Sequence, residues 1–143
     1  MEFNTKKSKG DIWDTLICFK KDIFDKTITD TQLMELADKF AKYAFFIVAS
    51  DNGSDVGYVA FYCNDTVKKN AFISMIIVDS KHQGHGYGKS LLTKAIEVAR
   101  DADMSSVKLE VSKENSNAIA FYHKLGFEVV NEDHTKYTLE KII

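Results

Sequence analysis

The chain predicts a mixed α/β fold in which strands and helices alternate. Short apolar runs of strand length, such as Phe45–Ala49, Val56–Cys63 and Ala71–Val78, are separated by segments whose apolar residues recur at helical spacing. A glycine-rich turn, Gln83-Gly84-His85-Gly86-Tyr87-Gly88, joins the last of these runs to a helical pattern carrying Leu91, Leu92, Ala95, Ile96 and Ala99. At 143 residues and 45% hydrophobic content, the chain suits one domain over residues 1–143 around one core.

The elements follow in order. Glu2 to Lys7 reads as a short edge strand. Asp11 is the expected cap of a helix carrying Ile12, Leu16, Ile17 and Phe24. Thr29 with Gln32 fits a capping box ahead of Leu33, Leu36, Ala37, Phe40 and Ala41. Asp51-Asn52-Gly53-Ser54 is a turn signal, so the strands on either side of it form a hairpin. The polar stretch Asp65–Asn70 leads into the buried strand 71–78, and the helix after the glycine turn runs to about Ala102. Val107, Leu109 and Val111 alternate with Lys108 and Glu110, as in a strand with two distinct faces. Ser116 to Leu125 reads as a short helix, and Phe127–Val130 with Tyr137–Leu139 as a closing hairpin.

Composition removes several function classes. A formal net charge of −2 gives no global basic field for nucleic acid. No apolar run approaches the roughly 20 residues of a membrane span. Met1 to Gly10 is polar, without the apolar stretch of a signal peptide. Cys18 and Cys63 stand alone, without metal-ligand spacing, and are expected as reduced, buried small residues. These features place the expected protein in the cytoplasm, with no metal.

The glycine turn carries the first chemistry. A helix start leaves about four backbone N–H groups without partners and adds partial positive charge, so it attracts anions. Three phosphate motifs compete for this turn. The dinucleotide pattern G-x-G-x-x-G would need glycine where Lys89 stands. The P-loop pattern would end on Gly88-Lys89-Ser90 but needs its first glycine where Gln83 stands. The pattern Q/R-x-x-G-x-G/A is met by Gln83, Gly86 and Gly88, and resembles the coenzyme A pyrophosphate loop of the GNAT superfamily of N-acetyltransferases. A second segment, Asn115-Ser116-Asn117-Ala118-Ile119-Ala120-Phe121-Tyr122-His123-Lys124-Leu125-Gly126-Phe127, resembles that family's N-x-x-A-x-x-[LF]-Y-x-K-x-G-F, one helix and one strand later.

The resemblance implies a splayed mixed sheet of about six to seven strands with helices on both faces, opening between strands 71–78 and 107–111. It implies transfer of an acetyl group from acetyl-CoA to a primary amine. In such a fold the pantetheine arm bonds to the backbone of Ile76 and Val78 as an added strand would. The turn residues Gln83, Gly84, His85, Gly86, Tyr87, Gly88 and Lys89 are then the phosphate grip, and Asn115 meets the coenzyme arm unless it only caps its helix. His82 and His134 read as ordinary surface residues. Tyr122 takes the family position whose hydroxyl protonates the leaving thiolate. From pattern alone it also fits an apolar stripe with Ala118, Phe121 and Leu125. Glu110 matches a catalytic glutamate found in some members, with a solvated cross-strand charge as the alternative. Neither motif holds a cysteine, which favours direct attack by the amine in a ternary complex over an acetyl-cysteine intermediate.

The acceptor, a small molecule or a peptide amine, is not specified. Asp22, Asp25, Asp30, Glu132 and Asp133 either attract a cationic amine or are solvated surface, and Trp13, Tyr43 and Tyr62 either line its pocket or belong to an aromatic core. A homodimer stays open. The rival classes are a non-catalytic acyl-CoA-binding or sensing module and a nucleotide-binding enzyme using Gly88-Lys89-Ser90.

Overall fold

One seven-stranded sheet organises residues 1–143, all of which the computed structural model describes. The strands are β1 (Glu2–Lys6), β2 (Phe45–Asp51), β3 (Ser54–Tyr62), β4 (Asn70–Val78), β5 (Ser106–Ser112), β6 (Glu128–Glu132) and β7 (Lys136–Ile142). The helices are α1 (Lys9–Cys18), α2 (Asp30–Tyr43), α3 (Tyr87–Asp101) and α4 (Ser116–Lys124). Strand order is β1-β2-β3-β4-β5-β7-β6, and only β4 and β5 run parallel.

Local chemistry explains where the helices start. Ser8, rather than Asp11, caps α1: the Asp11 N–H donates to Ser8 Oγ at 3.1 Å. Asp11 instead lies in the first turn, where its negative charge meets the helix dipole. The helix stops at Cys18, and a three-residue 3-10 turn at Lys20–Asp22 takes the chain out of helical register. Phe24 therefore lies beyond α1 and is 51% exposed. The capping box of α2 forms as expected, with the Gln32 N–H donating to Thr29 Oγ1 at 3.1 Å and the Thr29 N–H donating to Gln32 Oε1 at 2.9 Å.

Two apolar cores lie on opposite faces of the sheet. One joins α3, Tyr122 and Phe127 to Ala71, Ile73, Val107 and Leu109. The other joins α1 and α2 to Phe46, Val48, Tyr58 and Ala60. An irregularity in β4 redistributes its side chains between them. Ala60 faces Met75 and Phe61 faces Ile73, which leaves Ser74 as an extra residue. Beyond it the alternation flips: Ile76 and Val78 join the α3 core, while Met75 and Ile77 turn to the α1/α2 core. Cys18 is exposed and Cys63 half-buried, both free, so the expectation of two buried cysteines fails at position 18, the last residue of α1.

Candidate active site

The parallel ladder between β4 and β5 is short. It pairs Asn70 with Ser106 through Ile73 with Leu109 and then ends, while β5 continues against β7. From Ser74 onward β4 has β3 on one edge and no strand on the other, so the sheet forks. Ile76 and Val78 sit on that free edge, and Ala118, Phe121 and Tyr122 of α4 face it across a cleft of 460 Å³. That volume lies within the range of small-molecule sites, about 300–1,000 Å³.

The glycine turn closes one end of this cleft. Gly84 has φ +85° and Gly86 φ +80°, the left-handed region that favours glycine. Gly86 is the N-cap of α3 and has no side chain to offer. The first intrahelical bond there is from the Ser90 N–H to the Gly86 carbonyl at 3.0 Å, so the amides before it have no partner within the helix. The other three helices close their starts with Ser8, Thr29 and Asn115 side chains. A Cβ on Gly88 would lie 3.3 Å from Phe121 Cζ and 3.7 Å from Val78 Cγ2, so glycine there lets α3 press against the cleft wall. Lys89 and His82 add donors to the same lining. This cradle of open amides, glycines and the Lys89 ammonium suits a phosphate-bearing ligand. It suits a P-loop nucleotide less well, because the Ser90 hydroxyl donates to the Gly86 carbonyl at 3.1 Å instead of standing free.

Nine of the expected site residues line this one cleft: Ile76, Val78, Gln83, Gly84, Gly86, Tyr87, Gly88, Lys89 and Tyr122. The Gln83 amide donates to the Val78 carbonyl at 3.4 Å, joining the turn to the free strand edge. The Tyr87 hydroxyl donates to Asp51, which fixes α3 to the end of β2 and holds Asp51 below the usual carboxylate range. The other three sit apart from the lining. His85 is exposed, its ring 5.8 Å from that of Tyr87. Asn115 caps α4, its Oδ1 accepting from the Ala118 N–H at 3.2 Å. Glu110 is exposed on the face of β5 opposite Val107 and Leu109, one residue past the last paired position of the fork.

His82, expected from the sequence as an ordinary surface residue, also lines the cleft. Its Nδ1 is buried without a hydrogen bond and lies 3.7 Å from Asp79 Oδ2, at the 3-10 turn between β4 and the glycines. That turn could not be read from the chain, but the Asp79 side chain that starts it by accepting the Lys81 N–H is an ordinary capping residue. Tyr43, at 61% exposure, belongs to no core, whereas the Tyr62 ring packs at a tilt against Phe40, 6.1 Å between centres, beside the α2 core.

Tyr122 is held rigidly. Its ring meets Phe121 at 5.1 Å and Phe127 at 5.5 Å, both edge-on, and the residue is 9% exposed. Burial pushes its phenol up to about 12. The hydroxyl therefore stays protonated at neutral pH and is available as a proton donor.

Residues 12–127 match the model of the acetyltransferase (GNAT) family. The chain belongs to this family. Among GNAT relatives, an uncharacterised N-acetyltransferase of Methanocaldococcus jannaschii is 44% identical over 87 residues, covering 58% of this chain and 38% of that protein. Human N-alpha-acetyltransferase 30 is 37% identical over 59 residues, covering 41% of this chain and 16% of that protein. The chain thus spans well under half the length of these relatives. The fold matches a PaiA N-acetyltransferase of Thermoplasma acidophilum solved with coenzyme A, with a TM-score of 0.78, 18% identity and 100% of both chains covered. No helix is long and apolar enough to cross a membrane.

Proposed function

We propose that the protein transfers the acetyl group of acetyl-CoA to a primary amine, by direct attack within a ternary complex. The observation that carries this reading is the uncapped start of α3 and the buried Tyr122 phenol lining one cleft. The open amides from Gly84 to Lys89 hold the pyrophosphate, and the free edge at Ile76 and Val78 takes the pantetheine arm as an added strand. The acceptor amine loses a proton and forms a C–N bond to the thioester carbonyl as the C–S bond breaks. Tyr122, which lines the cleft and carries its proton at neutral pH, gives that proton to the departing sulfur. Glu110, beside the fork on the other face, draws the proton from the amine directly or through water. The family membership and the coenzyme A complex of the structural relative support the choice of cosubstrate. Two unpaired cysteines fit a cytoplasmic setting, where acetyl-CoA is at hand.

The test is a thermal-shift panel with acetyl-CoA, coenzyme A, ATP and NAD, followed by thiol release over an amine library. A ligand that binds only the folded state raises apparent stability by mass action, about 2.7 kcal/mol at a hundred times its Kd. Stabilisation by both coenzyme A forms but not by ATP, with thiol release from at least one amine, is expected. Stabilisation without release from any amine would make the protein an acyl-CoA-binding module.

A further inference from the structure

A second groove, of 560 Å³, reaches the same fork from the α1/α2 face. Its walls include Lys39 of α2, Tyr62 at the end of β3, Lys68 before β4, Phe72 and Ser74 of β4, and Lys108 of β5. Ser74 is the extra residue at which β4 parts from β5. Glu110 follows Lys108 by two residues on the same strand face, about 7 Å along the chain. The lysine cluster of the groove thus lies two residues along β5 from the carboxylate beside the fork.

Its charge is one-sided. Three lysines line it against one carboxylate, Asp65, whose Oδ1 already accepts the Lys68 N–H at 2.9 Å. The ion pairs of the chain include neither Lys39 nor Lys68. The Lys39 ammonium lies 5.4 Å from the centre of the Tyr62 ring. Lys108 has only a loose partner, Glu140 on β7, at 3.8 Å. An anion lying in this groove would meet ammonium groups from three separate elements.

We propose that this groove selects acceptors whose reacting primary amine is followed, within about two residues' length, by a carboxylate or phosphate. The amine stands at the fork near Glu110, and the anion is met by Lys108 and Lys39. An N-terminal peptide with an early acidic residue has this form, and so does a small amino dicarboxylate. The inference rests on the acetyltransferase reading above and names its substrate class. Each exposed charge pair contributes up to about fivefold, so two or three together give about tenfold discrimination.

The test uses two peptides that differ only in Glu or Gln at the second position, with aspartate against its diamide, in which neither carboxylate is left, as a small-molecule arm. Thiol release gives kcat/KM, and fluorescence polarisation of labelled peptide in the presence of coenzyme A gives binding. Wild type is expected to favour the acid about tenfold in at least one arm. Lys39→Gln with Lys108→Gln should bring the ratio to about one, and Lys108→Glu should invert it. Equal use and equal binding of acid and amide in both arms would overturn the inference, as would no binding or turnover of either, or a preference that survives the double substitution. Failure of acetyl-CoA to stabilise the protein would instead strike the acetyltransferase reading itself.

Discussion

Helices α3 and α4 meet at the cleft, yet they begin in opposite ways. Asn115 spends its side chain on the start of α4, while Gly86 leaves the start of α3 to its own amides. Gly88 then lets α3 pack against Phe121 of α4. The difference separates two tasks. An open helix start binds anions with backbone, which no side-chain substitution elsewhere replaces. A closed start holds its helix firmly, so that Tyr122, buried between Phe121 and Phe127, has one fixed place. In the proposed reaction α3 therefore binds and α4 does chemistry.

Substitutions on the two helices should separate these tasks. The largest effect is expected from Tyr122→Phe on α4. Turnover should fall about a hundredfold, as for loss of a general acid, while acetyl-CoA stabilises the variant as it does wild type. Unchanged turnover would remove chemistry from α4. Next comes Gly86→Asp, which gives α3 the acidic cap that its start lacks. Asp tolerates a positive φ, so the fold should survive, but affinity for acetyl-CoA measured by calorimetry should fall about tenfold or more. Equal affinity would mean that the open amides are not the anion site.

The titration of Tyr122 distinguishes side chain from backbone in another way. Its folded pKa of about 12 lies above the ordinary value near 10. The stability that this shift contributes is complete below pH 10 and is lost as pH rises from 10 toward 12. Denaturant midpoints of wild type should therefore drop relative to Tyr122→Phe across that window and track it below. Tyr58, also raised by burial, is common to both proteins and cancels. Parallel curves to pH 12 would contradict the burial. The smallest effect is expected from Asn115→Asp. A carboxylate keeps the cap, so stability should hold, while loss of the amide N–H groups should weaken acetyl-CoA about threefold if that side chain also meets the coenzyme arm. Full affinity would confine Asn115 to capping.

The chain showed its α3 and α4 regions more plainly than the rest, for physical reasons. Glycines at 84 and 86 are needed for positive φ, and Gly88 for close approach, so the turn is written in residue identity. The extra residue at Ser74 left no such mark. Phe72, Ile73, Met75, Ile76 and Ile77 are apolar on either side of it, so there was no alternation for the irregularity to break. The start of α1 was misplaced because Ser8 and Asp11 are both good caps, and only the backbone decides between them. The lysine groove stayed hidden because it depends on elements far apart in the chain that the sheet brings together.

The most direct test of the central claim is the backbone amide spectrum of ¹⁵N-labelled protein titrated with acetyl-CoA. The account predicts that the amides from Gly84 to Lys89 move most, ahead of those of α1 and α2, whose starts Ser8 and Thr29 already occupy. Saturating acetyl-CoA that leaves those six amides in place while shifting others would contradict it.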